Sequence, residues 1–485
     1  MKPTGILRAA FSAVFLLYAA LAFPCPVFSE TADGRFRNGK NVAAFSPAAA
    51  EREAEARSVR DLLSAEDLVS VQREYTDYFS TFTAIRLQVP AAEQSRAEEA
   101  CAEIEKVLSR VESAVNLSDA DSDIYYFNNT LAAGETMEIS EDTYALVVLA
   151  KEMYALTDGA YDPSVARLVD LWGFSPRFNE DGYAPSEPYD RADYEEQLPD
   201  AAYIEAFREL AAFKEVTAEE LDGKYYLTKP QTTVTVDGAT YDVWLDFGGI
   251  AKGYAADRAA EILRAYGFSY GYVSVGSSSV YVMQNASAQD GKYTVYIRNP
   301  RAGESGAGGE LMASVQVNDS GSSTSGDYER YYVTHNRRYC HIVSAETGEP
   351  IDTGVCTAFL AGGSAAENDA LSTALCVMGK ELATEFILDE LKDRTALLVW
   401  ENERTGKYEI IANCGRDDLS INADAAGFVL CGYMQDGEFV YEPSSAFDWV
   451  QLGIGIAVAV IVLGVIVGLG YRNHVLKRNR SSQKK

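Results

Sequence analysis

A carboxylate, three glycines and a lysine stand together in Asp246 to Asp257, D-F-G-G-I-A-K-G-Y-A-A-D. Where an extended segment hands over to a helix, such a turn lets the backbone approach an anion closely, and the helix start offers it unpaired N–H groups and a positive dipole. The same residues also suit an ordinary glycine-containing turn. Their spacing is that of neither a P-loop nor a dinucleotide fingerprint, and no H-R-D-type loop accompanies the D-F-G triplet, which sets protein kinases aside.

Two further clusters carry chemistry-bearing side chains: H-I-V-S-A-E-T-G-E-P from His341 to Pro350, and E-N-D-A-L-S-T-A-L-C-V-M-G from Glu367 to Gly379. Asp369 and Thr373 are four residues apart. If Asp369 opens a helix, the two share one face and offer a carboxylate and a hydroxyl oxygen to one hard cation. The plainer alternative is that Asp369 is an N-cap and Thr373 bonds to its own turn. Histidine is scarce, with His335 and His341 alone ahead of the C-terminal tail. A lone histidine is more often structural. His341, however, precedes the T-G-E-P turn at the end of an expected strand, where loop residues often do chemistry.

Elements that would position these groups follow from periodicity. Tyr241 to Phe247 reads as a strand and Ala251 to Gly267 as a helix ended by Gly267. Phe79 to Val89 alternates as a strand, Ala92 to Val115 carries helix-spaced apolar residues, and Glu141 to Thr157 is a helix stopped by Asp158-Gly159. Strands are expected around Tyr225, Thr233, Val273 and Tyr293, with the fold beginning near Tyr75. Residues 177–201 read as an acidic surface insertion.

With 485 residues, 47% of them hydrophobic, the chain can bury a large core. Residues 1–29 have the form of a signal peptide: Lys2 and Arg8, an apolar run, then small residues. A polar lead-in over 30–70 follows. Residues 450–471 contain an apolar run of membrane-spanning length, and the tail 472–485 carries six basic residues and no acid, which places it in the cytoplasm and the body outside. Setting aside two basic residues at the start and six in the tail takes the formal charge from −30 to −38 for residues 30–449. So acidic a surface argues against a nucleic-acid partner. Seven cysteines show no C-x-x-C pair and no metal spacing.

Taken in order, these segments resemble the FAD:protein FMN transferases, the ApbE family, over about 300 residues. Phe79-Ser80-Thr81 and Ser122 to Asn128 are similar to the family's opening. G-A-Y-D-P-S-V-A-R-L-V-D-L-W-G-F (159–174), the 246–257 motif, S-G-D-Y-E-R (325–330), the His341 motif and the D-A-L-S-T-A helix from Asp369 complete the set. The resemblance implies a mixed α/β (α+β) catalytic domain over 71–400, built as two subdomains of T-fold-like type with the flavin between them, and an extension over 401–449. It implies a magnesium-dependent enzyme outside the cytoplasm that splits FAD, attaches FMN to a threonine or serine of a redox protein, and releases AMP. Carried over residue by residue, Phe79, Phe127, Trp172, Gly173, Phe174, Asp246, Lys252 and Val343 would line the flavin site. Magnesium would be held by the main-chain oxygens of Gly249 and Ser372 and the side chains of Asp369 and Thr373. Asp246 and His341 would take part in catalysis, His341 having the intrinsic pKa of a general base.

Elementary electrostatics agrees: on so acidic a protein a pyrophosphate needs a cation and a lysine beside it. The family commonly shows a G-G-D or G-G-N turn where this chain has Gly276-Ser277-Ser278-Ser279. Serine adopts positive φ less cheaply than glycine, so an altered flavin contact is expected there. Two other readings use the same residues: a FAD pyrophosphatase giving free FMN and AMP, and a catalytically silent flavin-binding or docking protein. No D-x-x-T-G-A-T-like target occurs in the chain, so self-modification is not expected.

Overall fold

The structure, a computed structural model, describes residues 68–175, 198–302, 309–335, 337–402, 404–422 and 427–442. The expected signal peptide, nearly all of the lead-in, most of the 177–201 insertion, the apolar run of 450–471 and the basic tail lie outside the described residues. Among the described residues no helix is long and apolar enough to cross a membrane.

The chain opens on a hairpin of β1 (Leu68–Tyr78) and β2 (Thr81–Pro90). It starts a little before the expected Tyr75, because the 68–78 strand pairs along its length with β2. Helices α1 (Gln94–Val115), α2 (Asp123–Asn129) and α3 (Glu141–Leu156) follow, with β3 (Thr136–Ile139) between the last two. Ser122 and Ser140 cap α2 and α3, each accepting backbone N–H bonds from the first turn. Next come α4 (Ala166–Leu171), α5 (Ala201–Arg208) and strands β4 (Thr217–Leu221), β5 (Lys224–Thr228), β6 (Thr233–Val236) and β7 (Ala239–Asp242). Helix α6 (Ala251–Ala265) leads to β8 (Gly271–Val275), β9 (Ser279–Val282), β10 (Tyr293–Arg298), β11 (Leu311–Val317) and β12 (Ser320–Gly326). The hairpin β13 (Tyr331–Thr334) and β14 (Arg337–Cys340) precedes β15 (Val355–Ala361), α7 (Ala365–Glu390) and β16 (Thr395–Asn402). The last strands are β17 (Lys407–Gly415), β18 (Leu419–Ile421), β19 (Phe428–Gln435) and β20 (Glu438–Tyr441).

Ten strands form the central sheet in the order β1-β2-β8-β9-β12-β15-β16-β17-β19-β20. Strand β15, V-C-T-A-F-L-A, is buried at every position, because both faces of the sheet are covered. Ala358 and Leu360 point to the main core with Ala396, Leu398 and Ile411, where α1, α6 and α7 contribute Leu108, Leu263 and Leu375. The alternate residues Phe359, Leu397, Val399 and Ile410 enter a second core with Ile297, Met312 and Val315 of the small sheet β10-β11-β18. Two hydrophobic cores thus lie on opposite faces of one sheet.

Residues beyond 401 are not a separate appendage, since β17, β19 and β20 continue the central sheet. Strand β18 leaves to pair with β11, and on its return the chain runs parallel to β17. The expected strand 241–247 is a different matter. Only β7 is a strand there, and residues 243–247 belong to no strand. The Asn128 side chain takes the place of a neighbouring strand, accepting from Leu245 N at 2.8 Å and donating to Leu245 O at 2.9 Å.

Candidate active site

The turn into α6 is built by its own short hydrogen bonds. Asp246 Oδ1 accepts from Gly248 N at 2.7 Å, and the Lys252 ammonium donates back to Gly248 O at 2.9 Å. Asp246 N donates to Pro163 O at 2.9 Å, which ties the turn to the 159–174 segment. Lys252 is thereby aimed across the start of the helix, its Nζ 4.0 Å from Asp369 Oδ2.

Asp369 stands in the second turn of α7. It does not open the helix; Ser364 caps α7, accepting from Glu367 N. The carboxylate is 3% exposed yet fully engaged. Its Oδ1 accepts from the hydroxyls of Ser279 at 2.9 Å and Ser323 at 2.7 Å, and its Oδ2 from Gly253 N at 3.0 Å. Gly253 is the third residue of α6, so this bond satisfies one of the N–H groups a helix start leaves free. A side chain at Gly253 has no room, because a Cβ would lie 2.2 Å from Ala365 O. A Cβ at Gly321 would lie 2.1 Å from Ala365 N, so the beginning of α7 is gripped between two glycines. Asp257, from the last turns of the same motif, completes the grip by accepting from Ser364 Oγ, Ala365 N and Ala366 N at 2.6, 2.8 and 2.9 Å.

Thr373 lies one turn beyond Asp369, as the spacing requires. Its Oγ1 is 3.1 Å from Ser325 Oγ and donates to Asp369 O at 3.2 Å, and it would sit 3.5 Å from a Cβ on Gly249. Ser372 is fully buried and its hydroxyl is 2.8 Å from Ser325 Oγ. Its carbonyl lies inside α7, where the amide four residues on takes it as acceptor. Ser372 thus reaches the site with its hydroxyl.

His341 follows β14 directly and its backbone N donates to Arg330 O at 3.0 Å. The ring Nδ1 lies 3.3 Å from the same oxygen. A carbonyl only accepts, so Nδ1 carries the proton and Nε2 keeps a lone pair. Burial, then the positive charges of Arg330 and Lys252, push the imidazole well below its ordinary value of 6.5. It is neutral through the physiological range.

The aromatic residues expected against a flavin are mostly packed inside. Trp172 stacks on Tyr339 at 5.5 Å and donates its indole N–H to Gly348 O at 2.8 Å. Phe174 stacks on Tyr332 at 5.5 Å, and Tyr332 on Tyr339 at 5.3 Å. With Gly173 at φ +79 turning the chain between them, these rings hold the β13–β14 hairpin and the 344–350 turn. Val343 is buried. Phe127 is fully enclosed, with the Lys229 ammonium 5.0 Å from its ring centre, and presents no face to a ligand. Phe79 is half-buried at the tip of the β1–β2 hairpin. It and Ser80 adopt φ of +53 and +50, a left-handed pair that costs a bulky residue energy and is common at ligand sites.

The structure thus gathers Asp246, Gly249, Lys252, Asp369, Ser372 and Thr373, but not Phe127. Ser277 does not take positive φ; Gly276 does, at +69, so the reason for expecting an altered turn falls away. Sequence reading missed Ser279, Ser323, Ser325, Gly253 and Asp257 as supporting groups. The signal was S-G-S-S-T-S-G (320–326), a central strand that is buried yet has no apolar side chain larger than a methyl.

Among the described residues no three His, Cys, Asp or Glu side chains form a metal cluster. The donors available are one carboxylate, hydroxyls and backbone oxygens, the set that suits a hard cation such as magnesium. An edge of the Tyr161 ring lies 3.4 Å from a Cβ on Gly249, and the buried hydroxyl of that tyrosine has no hydrogen-bond partner. Polar groups left short of partners beside an oxygen-donor set fit a site completed by an ion and its ligand. The six cysteines from Cys101 to Cys431 form no disulfide.

An α/β body thus sets a lysine-bearing helix start beside a buried carboxylate, with a histidine directly after β14. The chain belongs to the ApbE family, whose sequence profile matches residues 79–398. It is 28% identical over 308 residues to an FAD:protein FMN transferase of Escherichia coli K12, covering 63% of this chain and 78% of the relative. It is 27% identical over 321 residues to one from Treponema pallidum, covering 65% and 80%. In three dimensions it is similar to the flavin transferase ApbE from Vibrio cholerae, at TM-score 0.56 and 23% identity over 71% of this chain and 97% of that one. The ApbE protein of Thermotoga maritima superposes with TM-score 0.53 at 26% identity, over 70% and 96%.

Proposed function

We propose that this chain is an FAD:protein FMN transferase, a flavinyltransferase that moves the FMN half of FAD onto a threonine or serine hydroxyl of an extracytoplasmic redox protein. The acceptor oxygen forms a bond to the FMN phosphorus, the bridging P–O bond breaks, AMP leaves and the hydroxyl proton goes to a base. The observation that carries this reading is Lys252 pinned 4.0 Å from Asp369 at the start of α6, with Thr373 alongside. Lys252 supplies a fixed positive charge for the pyrophosphate, and the positive end of the α6 dipole adds to it. His341, neutral and with Nε2 unprotonated, accepts the hydroxyl proton. Asp369, Thr373 and the main-chain oxygen of Gly249 would hold magnesium, which when bound neutralises charge developing on the phosphates. Asp246 keeps the turn closed so that Gly248 and Gly249 present their backbone. Phe79, at the strained hairpin tip, covers the flavin.

The sequence outside the described residues supports a location: an exported body, anchored by the apolar run of 450–471 with its tail in the cytoplasm. The test is incubation of the protein with FAD, magnesium and a threonine-bearing acceptor domain, followed by flavin fluorescence on the denatured acceptor band. Free FMN and AMP without a labelled acceptor would make the enzyme a pyrophosphatase. Neither product would leave a flavin-binding protein.

A further inference from the structure

Ser325 sits where β12 meets α7. Its main-chain oxygen accepts from Thr357 Oγ1 at 3.1 Å, and β12 pairs with β15 through Ser325 and Ala358, so the backbone that carries it is fixed. Its hydroxyl lies 2.8 Å from Ser372 Oγ and 3.1 Å from Thr373 Oγ1. Both of those hydroxyls also reach Asp369 O, Ser372 at 3.0 Å and Thr373 at 3.2 Å.

Asp369 O has two lone pairs, and inside α7 the Thr373 amide already takes one of them. Three donors therefore compete for two places, and the longest contact, from Thr373 Oγ1, is the one left over. Ser325 Oγ offers that proton a shorter path. The three hydroxyls then form one directed chain, from Thr373 to Ser325 to Ser372 to Asp369 O, in which every contact carries one proton. The reverse direction would aim the Ser325 proton at Thr373 Oγ1 and occupy a lone pair there. A cation on Thr373 Oγ1 decides against it, because it polarises that hydroxyl and makes it the strongest donor of the three. We propose that Ser325 is a positioning residue of the cation site, taking the proton of Thr373 Oγ1 and so leaving both lone pairs of that oxygen free for the ion. The inference rests on the proposed use of Asp369, Thr373 and Gly249 O for magnesium.

Ser325→Ala removes the acceptor but leaves Asp369 O within reach of both neighbours, so the ligand-free variant should fold and melt near the wild-type temperature. Mn2+ is titrated into the purified protein without nucleotide, into the millimolar range, and followed by electron paramagnetic resonance. The signal scored is the Mn2+ that wild type binds and Asp369→Asn does not, which sets aside ions held elsewhere on the acidic surface. The affinity of Ser325→Ala should fall about tenfold, the loss of one charge-assisted hydrogen bond. A double-mutant cycle with Thr373→Val shows whether the effect passes through Thr373. If it does, adding Ser325→Ala to Thr373→Val changes the affinity no further. An equal loss in both backgrounds overturns the inference, because Ser325 would then be a ligand in its own right. An unchanged affinity in Ser325→Ala overturns it as well, whatever the melting temperature, and so does a variant that does not fold. Wild-type protein that binds no Mn2+, or Thr373→Val that binds it as wild type does, overturns the cation reading itself, and this inference with it.

Discussion

The backbone N–H of Gly253 donates to Asp369 Oδ2 at 3.0 Å, so one contact both completes the first turn of α6 and orients the carboxylate carried by α7. Its burial and its bonds to Ser279, Ser323 and Gly253 give the Asp369 side chain a part in the fold as well as in any cation site.

Asp369→Ala should therefore cost about 3–5 kcal/mol of stability, because two hydroxyls and an amide lose their acceptor and the Lys252 ammonium its nearby negative charge. Asp369→Asn keeps the shape and, with its Oδ1 toward Gly253 N, most of the bonds. It should fold with a melting temperature near wild type while losing magnesium-dependent turnover. Thermal melts and a magnesium titration of activity check both, and full turnover by the Asn variant at ordinary magnesium would remove Asp369 from the cation set.

His341→Asn should leave FAD binding nearly unchanged and cut the single-turnover transfer rate by about two to four orders of magnitude, the span of a lost general base. Because burial and the charges of Arg330 and Lys252 hold His341 well below 6.5, the wild-type rate should not fall on its account until the pH drops below that value. The neutral form is the active one. A rate unchanged by the substitution, or an acid limb centred above 6.5, ends the proposal.

Asp257 is pushed up from 3.8 to about 6, since burial outweighs the three hydrogen bonds from Ser364, Ala365 and Ala366. The folded protein thus holds this proton more tightly than the unfolded chain. The contribution is fully present below pH 3.8 and is lost as pH rises through about 6. Asp257→Asn removes the titration. The stability of wild type relative to the variant should decline by up to about 3 kcal/mol between pH 4 and 7, read from urea unfolding. A difference that stays constant across that range refutes the assignment.

Protease added to intact cells should remove the body and spare a tag placed after Lys485, if the apolar run spans the membrane with the basic tail inside. Digestion of the tag with protection of the body would invert the orientation.

Much of the site was legible in the chain because its parts are local. The turn 246–253 and the pair Asp369 and Thr373 are each set within one or two helical turns, so residue type and spacing alone place them. The stop of α6 at Gly267, with φ +81, was fixed in the same way by local chemistry. Membership of the family was legible too, since its motifs recur in order.

What the tertiary structure alone decided are pairings between distant residues. Residues 243–247 have the composition of a strand, but whether they join a sheet depends on which edge reaches them, and Asn128, 117 positions away from Leu245, reaches them first. Phe127 and Trp172 look alike in sequence as flavin contacts, yet one is sealed under Lys229 and the other is spent on Tyr339 and Gly348. Four strands beyond residue 401 join existing sheets because those sheets offered an open edge, which no local pattern announces. The hydroxyls of Ser279 and Ser323 meet on Asp369 only because β9 and β12 are neighbours and α7 lies across them. Burial and hydrogen-bond partnership are properties of the packed whole, and they made a carboxylate visible from its spacing into one that is oriented.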